Sequence, residues 1–173
     1  MIPENPYEDR FERTFAFIDL SGFTNFTDVM GDKAALAEIN TFRAIVREIA
    51  SRKGIRIAKW LGDGAMLAAV EPETATEAIM EMQGRMGEID EQLSMRAGLT
   101  SGAVLMVDGE DLIGRAVNLA ARLCSLADPG EVLATKEMMT ALMVNTPSES
   151  VGMRDIDGFT ELVEVVRLEM PDF

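Results

Sequence analysis

The chain has 173 residues, 47% of them hydrophobic and 27% charged, a balance that suits one globular domain long enough to bury a core. Sixteen basic residues against thirty acidic ones leave a formal net charge of −14. That charge disfavours nucleic acid as a partner, and any anionic ligand needs bridging cations or a local Lys/Arg cluster. There is no histidine, which excludes histidine metal sites, Ser-His triads and imidazole acid–base catalysis. Cys124 is the single cysteine, so no intrachain disulfide can form, and a reducing, cytoplasmic setting is expected. No apolar run approaches the ~18 residues of a membrane span, and residues 1–13 hold no apolar stretch of signal-peptide kind.

In chain order, TFAFIDL (14–20) is aromatic and β-branched and reads as a buried strand that ends on one bare carboxylate, Asp19. From about Asn25 to Arg52, Val29, Leu36, Ile39, Phe42, Ile45, Val46 and Ile49 recur at helical spacing. Gly31 interrupts or kinks that helix, and Gly54 ends it. Ile55–Lys59 and Ala65–Val70 read as strands around LGDG, a tight turn carrying Asp63. Pro72 opens a helix to about Gln92, with Ala75, Ile79, Met82, Met86 and Ile89 on one face.

Met95–Met106 reads as a strand in which Gly98 and Gly102 mark bulges or close approaches, followed by a turn at Asp108–Gly109. A helix from about Arg115 to Leu126 is broken by Pro129–Gly130. Val132–Ala134 reads as a short strand, Lys136–Met143 as a short helix, and 144–150 as a polar loop. Gly152–Leu168 reads as two strands around an Asp157–Gly158 turn. The order β-α-β-β-α-β, then α, β, α and a hairpin, predicts an α+β sandwich. Its sheet is mixed, its core is ferredoxin-like, and its helices lie mainly on one face. Residues 1–173 read as one domain, with its core at about 14–168.

In such a core the first and third strands are neighbours, so Asp19 and Asp63 can meet at one sheet edge. Two carboxylates without histidine suit a hard cation such as Mg²⁺ or Mn²⁺. The plainer reading is a strand-end cap and a turn former. In DLIGRAVNLAARL (111–123), Asn118 and Arg122 stand four apart and share one helix face. They offer an amide and a planar cationic fork that suit a phosphoryl group. Taken alone, an ordinary solvated pair is the better explanation of them.

Together the segments FIDLSGFT, KWLGDGAM, RAGLTSG and DLIGRAVNLAAR resemble the class III nucleotidyl cyclases, the adenylate and guanylate cyclase catalytic domain, from about Thr14 to Leu168. The resemblance implies the fold of that family and an adenylate cyclase that makes 3′,5′-cyclic AMP and pyrophosphate from ATP. Asp19 and Asp63 are implied as ligands of two Mg²⁺ or Mn²⁺ ions. Lys59 and Asp111 are implied as the purine-reading pair, Asn118 as the ribose-orienting residue, and Arg122 as the group that stabilises the transition state.

Backbone amides around Gly22, Phe23 and Thr24, and the side chain of Arg96, are implied as phosphate contacts. A head-to-tail homodimer is implied too, in which Asp19 and Asp63 come from one subunit and Lys59, Asp111, Asn118 and Arg122 from the other. The base choice has a physical reason. Adenine donates from N6 and accepts at N1, which fits a carboxylate and an ammonium, whereas guanine presents the reverse.

The sequence also departs from the family. Asp157 stands where a lysine is frequent, Thr100 stands where a histidine is usual, and the segment between Gly102 and Asp111 is short, as in a bacterial, mycobacterial-like subgroup. The alternatives are a nucleotide-binding regulatory pseudo-cyclase and a guanylate cyclase.

Overall fold

The computed structural model describes residues 10–89, 93–107 and 111–170. Strand β1 (Arg10–Ser21) runs through the middle of the sheet, antiparallel to β3 (Gly64–Ala69) on one side and to β4 (Ser94–Val107) on the other. Outside β3 lies β2 (Arg56–Leu61). Outside β4 come β6 (Val132–Thr135), β8 (Val163–Leu168) and the edge strand β7 (Ser148–Arg154). The β4–β6 pairing is parallel, so the sheet is mixed. A short β5 (Asp111–Ile113) folds back onto the end of β4. The order β2-β3-β1-β4 is the ferredoxin-like core, with first and third strands adjacent.

Period-two alternation decides what covers each face. From β1, Ala16, Ile18 and Leu20 join a core with Phe42, Val46 and Ile49 of α2 (Asp32–Lys53) and Ala78, Ile79 and Met82 of α3 (Pro72–Ile89). Phe15 points the other way and packs with Met66, Ala68 and Val104 against Ala116, Val117 and Ala120 of α4 (Arg115–Leu126). The helices α2 and α3 thus share one face as expected, while α4 alone covers the opposite face. Its approach is close. A methyl group on Gly98 would lie 2.3 Å from the Cys124 amide nitrogen and 2.4 Å from the Ala120 carbonyl oxygen. Gly98 is therefore a close approach in a regular strand, and it sets the height of α4 above the sheet.

Several boundaries differ from expectation. The single helix from Asn25 to Arg52 is two helices, α1 (Phe23–Met30) and α2, because Gly31 takes φ 89° and serves both ends. The break leaves Val29 and Leu36 exposed. Ile89, in the last turn of α3, is also exposed. The helix expected over Lys136–Met143 is only a 3₁₀ turn at Lys136–Met138. Thr140 ties its hydroxyl to Glu73 and accepts from the Leu142 amide, and turns of i→i+3 type carry the chain onward. Residues 148–150 belong to β7 although their side chains are polar, since an edge strand exposed on both faces needs only the backbone ladder to β8. The short β5 was not foreseen. The expected Asp108–Gly109 turn and the helix end near Gln92 lie outside the described residues.

Candidate active site

Asp19 lies near the end of β1, opposite Gly64 of β3. Asp63 stands in the two-residue turn between β2 and β3, where Gly62 takes φ 63°. The turn is pinned to β1, for the Leu20 amide donates to the Asp63 carbonyl at 3.1 Å. No side chain fits at Gly64, where a methyl would meet the Ile18 carbonyl oxygen at 2.3 Å. The two carboxylates therefore share one sheet edge, and both residues are half-buried. Burial, and then the charge of Asp19, push the Asp63 carboxyl above the usual carboxylate range.

The hairpin has an outside anchor that sequence reading missed. Arg43 of α2 donates to the Gly62 carbonyl at 3.2 Å, with its guanidinium 4.9 Å from the Trp60 ring centroid. Arg47 lies over the same ring at 5.1 Å. The signal was present as two arginines at i and i+4, but nothing local says that their helix faces Trp60. Trp60 packs against the α2/α3 core, as its alternation with Lys59 implies.

Arg96 of β4 pairs directly across from Asp19. Its Nε donates to Asp19 Oδ1 at 2.7 Å and its Nη2 to Oδ2 at 3.1 Å. Its Nη1 donates at longer range to the Ser125 and Ala127 carbonyls, 3.3 and 3.4 Å away at the end of α4. The buried Cys124 thiol faces the Arg96 carbonyl at 3.8 Å. Burial first, then the nearby Asp19 charge, push that thiol up to about 12.

Asn118 and Arg122 share the exposed face of α4 with Arg115 and line a cleft of ≈ 900 Å³. Its far wall is the loop between β7 and β8. Ile156 and Phe159 hold that loop against Leu119 and Leu123. Arg115 lies over the Phe159 ring at 4.8 Å. Arg122 Nη1 stands 3.7 Å from Asp157 Oδ2, an ion pair open to solvent. The cleft lining includes neither Asp19 nor Asp63.

Lys59 and Asp111 form a third group. The Lys59 ammonium on β2 donates to Asp111 Oδ1 on β5 at 3.4 Å, with both side chains at least half exposed. Gly22 is left-handed at φ 77°, and α1 begins at Phe23. The Phe26 amide donates to the Gly22 carbonyl, the Phe23 ring packs inward, and Thr24 is exposed. Among the described residues no cluster of three or more His, Cys, Asp or Glu is present, so the chain offers a cation two carboxylates. That set fits a hard ion completed by water and phosphate oxygens. Such an ion would offset both the burial and the Asp19 charge that raise the Asp63 carboxyl.

Residues 7–163 match the sequence model of the adenylate and guanylate cyclase catalytic domain. The chain belongs to this family. A Mycobacterium tuberculosis protein is 33% identical to the cyclase domain over 143 residues, 83% of this chain and 37% of the relative. An adenylate cyclase of Streptomyces coelicolor is 32% identical over 128 residues, 73% of this chain and 33% of the relative. The cyclase domain thus spans about a third of the length of these curated relatives.

The fold superposes on the adenylyl cyclase CyaB of Pseudomonas aeruginosa with a TM-score of 0.85 at 23% identity, covering 94% of this chain and 96% of that one. An adenylate/guanylate cyclase/hydrolase from Silicibacter pomeroyi gives a TM-score of 0.76 at 25% identity over 95% and 99% of the two chains. None of the described helices is long and apolar enough to cross a membrane.

Proposed function

We propose that this cyclase domain converts ATP to 3′,5′-cyclic AMP and pyrophosphate at sites shared between the two subunits of a head-to-tail homodimer. The observation that carries the reading is the Lys59–Asp111 pair, drawn from two strands distant in sequence to within 3.4 Å. Against adenine, Asp111 accepts from N6 and Lys59 donates to N1. Against guanine both would face a like partner, and unpaired polar groups in a closed site are costly. Adenylate cyclases among the relatives support the same choice.

Asp19 and Asp63 would hold two Mg²⁺ or Mn²⁺ ions. When bound, such ions lower the pKa of the attacking hydroxyl and neutralise charge on the leaving pyrophosphate. Asn118 orients the ribose so that its 3′-oxygen faces the α-phosphorus in line with the leaving oxygen. Arg122 donates to the α-phosphoryl oxygens, where charge builds as the bond forms. The amides at Gly22, Phe23 and Thr24, at the positive end of α1, and the Arg96 guanidinium receive the remaining phosphates. No protein nucleophile is required, so a chain without histidine and with a buried thiol is equipped for this chemistry.

One observation favours a regulatory reading instead. Asp157 ion-pairs with Arg122 inside the cleft, placing an acid where polyphosphate would lie. Product analysis separates the two. Purified protein is given ATP or GTP with Mg²⁺ or Mn²⁺ over a range of protein concentration. Cyclic AMP from ATP, with specific activity rising with concentration, supports the dimeric adenylate cyclase. Nucleotide binding without product assigns the regulatory role, and cyclic GTP-derived product in excess overturns the base reading. Mixing Asp19→Asn with Asn118→Ala, each inactive alone, should restore about a quarter of wild-type activity, since half the dimers carry one intact site.

A further inference from the structure

We infer that Arg96 is a placeholder cation in the Asp19–Asp63 site, and that a divalent ion competes with its guanidinium for Asp19. The inference rests on the reading of Asp19 and Asp63 as metal ligands. What it adds is a competitor built into the same chain.

Both Asp19 oxygens are engaged by Arg96, at 2.7 and 3.1 Å, in the two-pronged geometry that makes guanidinium–carboxylate pairs strong. The side chains are 29% and 28% exposed, so solvent screens the pair only in part. Arg96 takes a lone pair on each Asp19 oxygen, so a divalent ion brought against the same carboxylate meets the repulsion of the guanidinium and competes with it. Without a cation the place would hold two half-buried acids at one sheet edge. Arg96 therefore offsets a repulsion that is unavoidable before metal arrives.

The displaced guanidinium has a holding position. Its Nη1 already points to the Ser125 and Ala127 carbonyls at the end of α4. Those carbonyls form the negative end of the helix dipole, which favours a cation there. Arg96 can swing off Asp19 without entering an apolar environment. Its donors are then free for an anion brought in with the metal, so the ion binds before Arg96 can take up phosphate.

The test is Mn²⁺ binding to nucleotide-free protein, followed by the electron paramagnetic resonance of free Mn²⁺. Arg96→Gln should bind Mn²⁺ roughly two- to fivefold more tightly than wild type, the range expected on removing a partly exposed competing ion pair. Arg96→Lys keeps the charge but cannot span both oxygens, and should fall between the two. Arg13→Gln, which removes an equal charge about 20 Å away along β1, should leave the affinity unchanged. Unchanged or weaker Mn²⁺ binding in Arg96→Gln, with Asp19→Asn abolishing it, would overturn the placeholder and leave the metal site standing. Mn²⁺ binding that survives Asp19→Asn and Asp63→Asn would remove the metal site and the inference with it. Thermal melts of each variant show whether a change in affinity comes from a folded protein.

Discussion

Asp111 Oδ1 lies 3.4 Å from the Lys59 ammonium, although 52 residues separate them in the chain. One sits on β2 at a sheet edge, where the β2–β3 register shifts just before Lys59, and the other on β5, folded back over β4. On the proposed reading this donor–acceptor pair would meet a purine edge. Swapping its polarity should swap the base. Lys59→Glu with Asp111→Ser is expected to lower cyclic AMP formation about a hundredfold and to raise the GTP/ATP ratio of kcat/KM, measured by competing the two nucleotides in one reaction. Retention of ATP preference would remove the pair from base recognition.

Arg122 is expected to act in the transition state more than in binding. Arg122→Ala should lower kcat by roughly 10²–10³ with little change in KM, as for the loss of one preorganised donor at a developing charge. A pure KM effect would make it a ground-state phosphate contact.

Asp157 holds an exposed ion pair with Arg122 at 3.7 Å and adds negative charge to the cleft. Asp157→Asn should lower KM for ATP by about two- to fivefold at low salt, and the effect should fade as ionic strength rises. A higher KM in the variant would show that Asp157 helps substrate to bind.

Asp63 carries a pH signature. Its carboxyl is raised in the folded chain, so the folded state prefers it neutral, and at neutral pH the ionised form is destabilising. Asp63→Asn should therefore raise the metal-free Tm by about 1–3 °C at pH 7. The gain should shrink as pH falls through the raised pKa, where wild-type Asp63 is itself neutral. Metal binding should weaken over the same window, at higher pH than an ordinary carboxylate would give. An equal Tm difference at pH 4 and pH 7 would refute this account.

Gly98 is the contact that places α4. Gly98→Ala puts a methyl 2.3 Å from the Cys124 amide and 2.4 Å from the Ala120 carbonyl, both backbone atoms of α4 that cannot rotate away. A loss of roughly 1–3 kcal/mol or more is expected by urea denaturation. Activity should fall beyond what the unfolded fraction explains, because Asn118 and Arg122 move with α4. Full activity in the folded fraction would show that the helix height is not critical.

Legible in the sequence were the β-α-β-β-α-β order of the ferredoxin-like core, the hairpin that carries Asp63, and the shared face of Asn118 and Arg122. Each of these is written in local periodicity, in a glycine or proline at an element end, or in a spacing along one helix. Elements whose stability comes from a distant partner were not legible. Polar β7 exists because β8 supplies its ladder, β5 exists because β4 does, and the Lys136–Met143 stretch loses its helix to turns tied through Thr140 to Glu73.

The same division runs through the site. The residue types at Asp19, Lys59, Asp63, Asp111, Asn118 and Arg122 were readable. That Arg96 closes on Asp19, that Arg43 holds the Gly62 carbonyl, and that Asp157 reaches Arg122 were decided only by tertiary structure. A sequence records which charges a chain carries, but which of them become partners depends on strand register and helix height, and these are set by packing across the whole sheet.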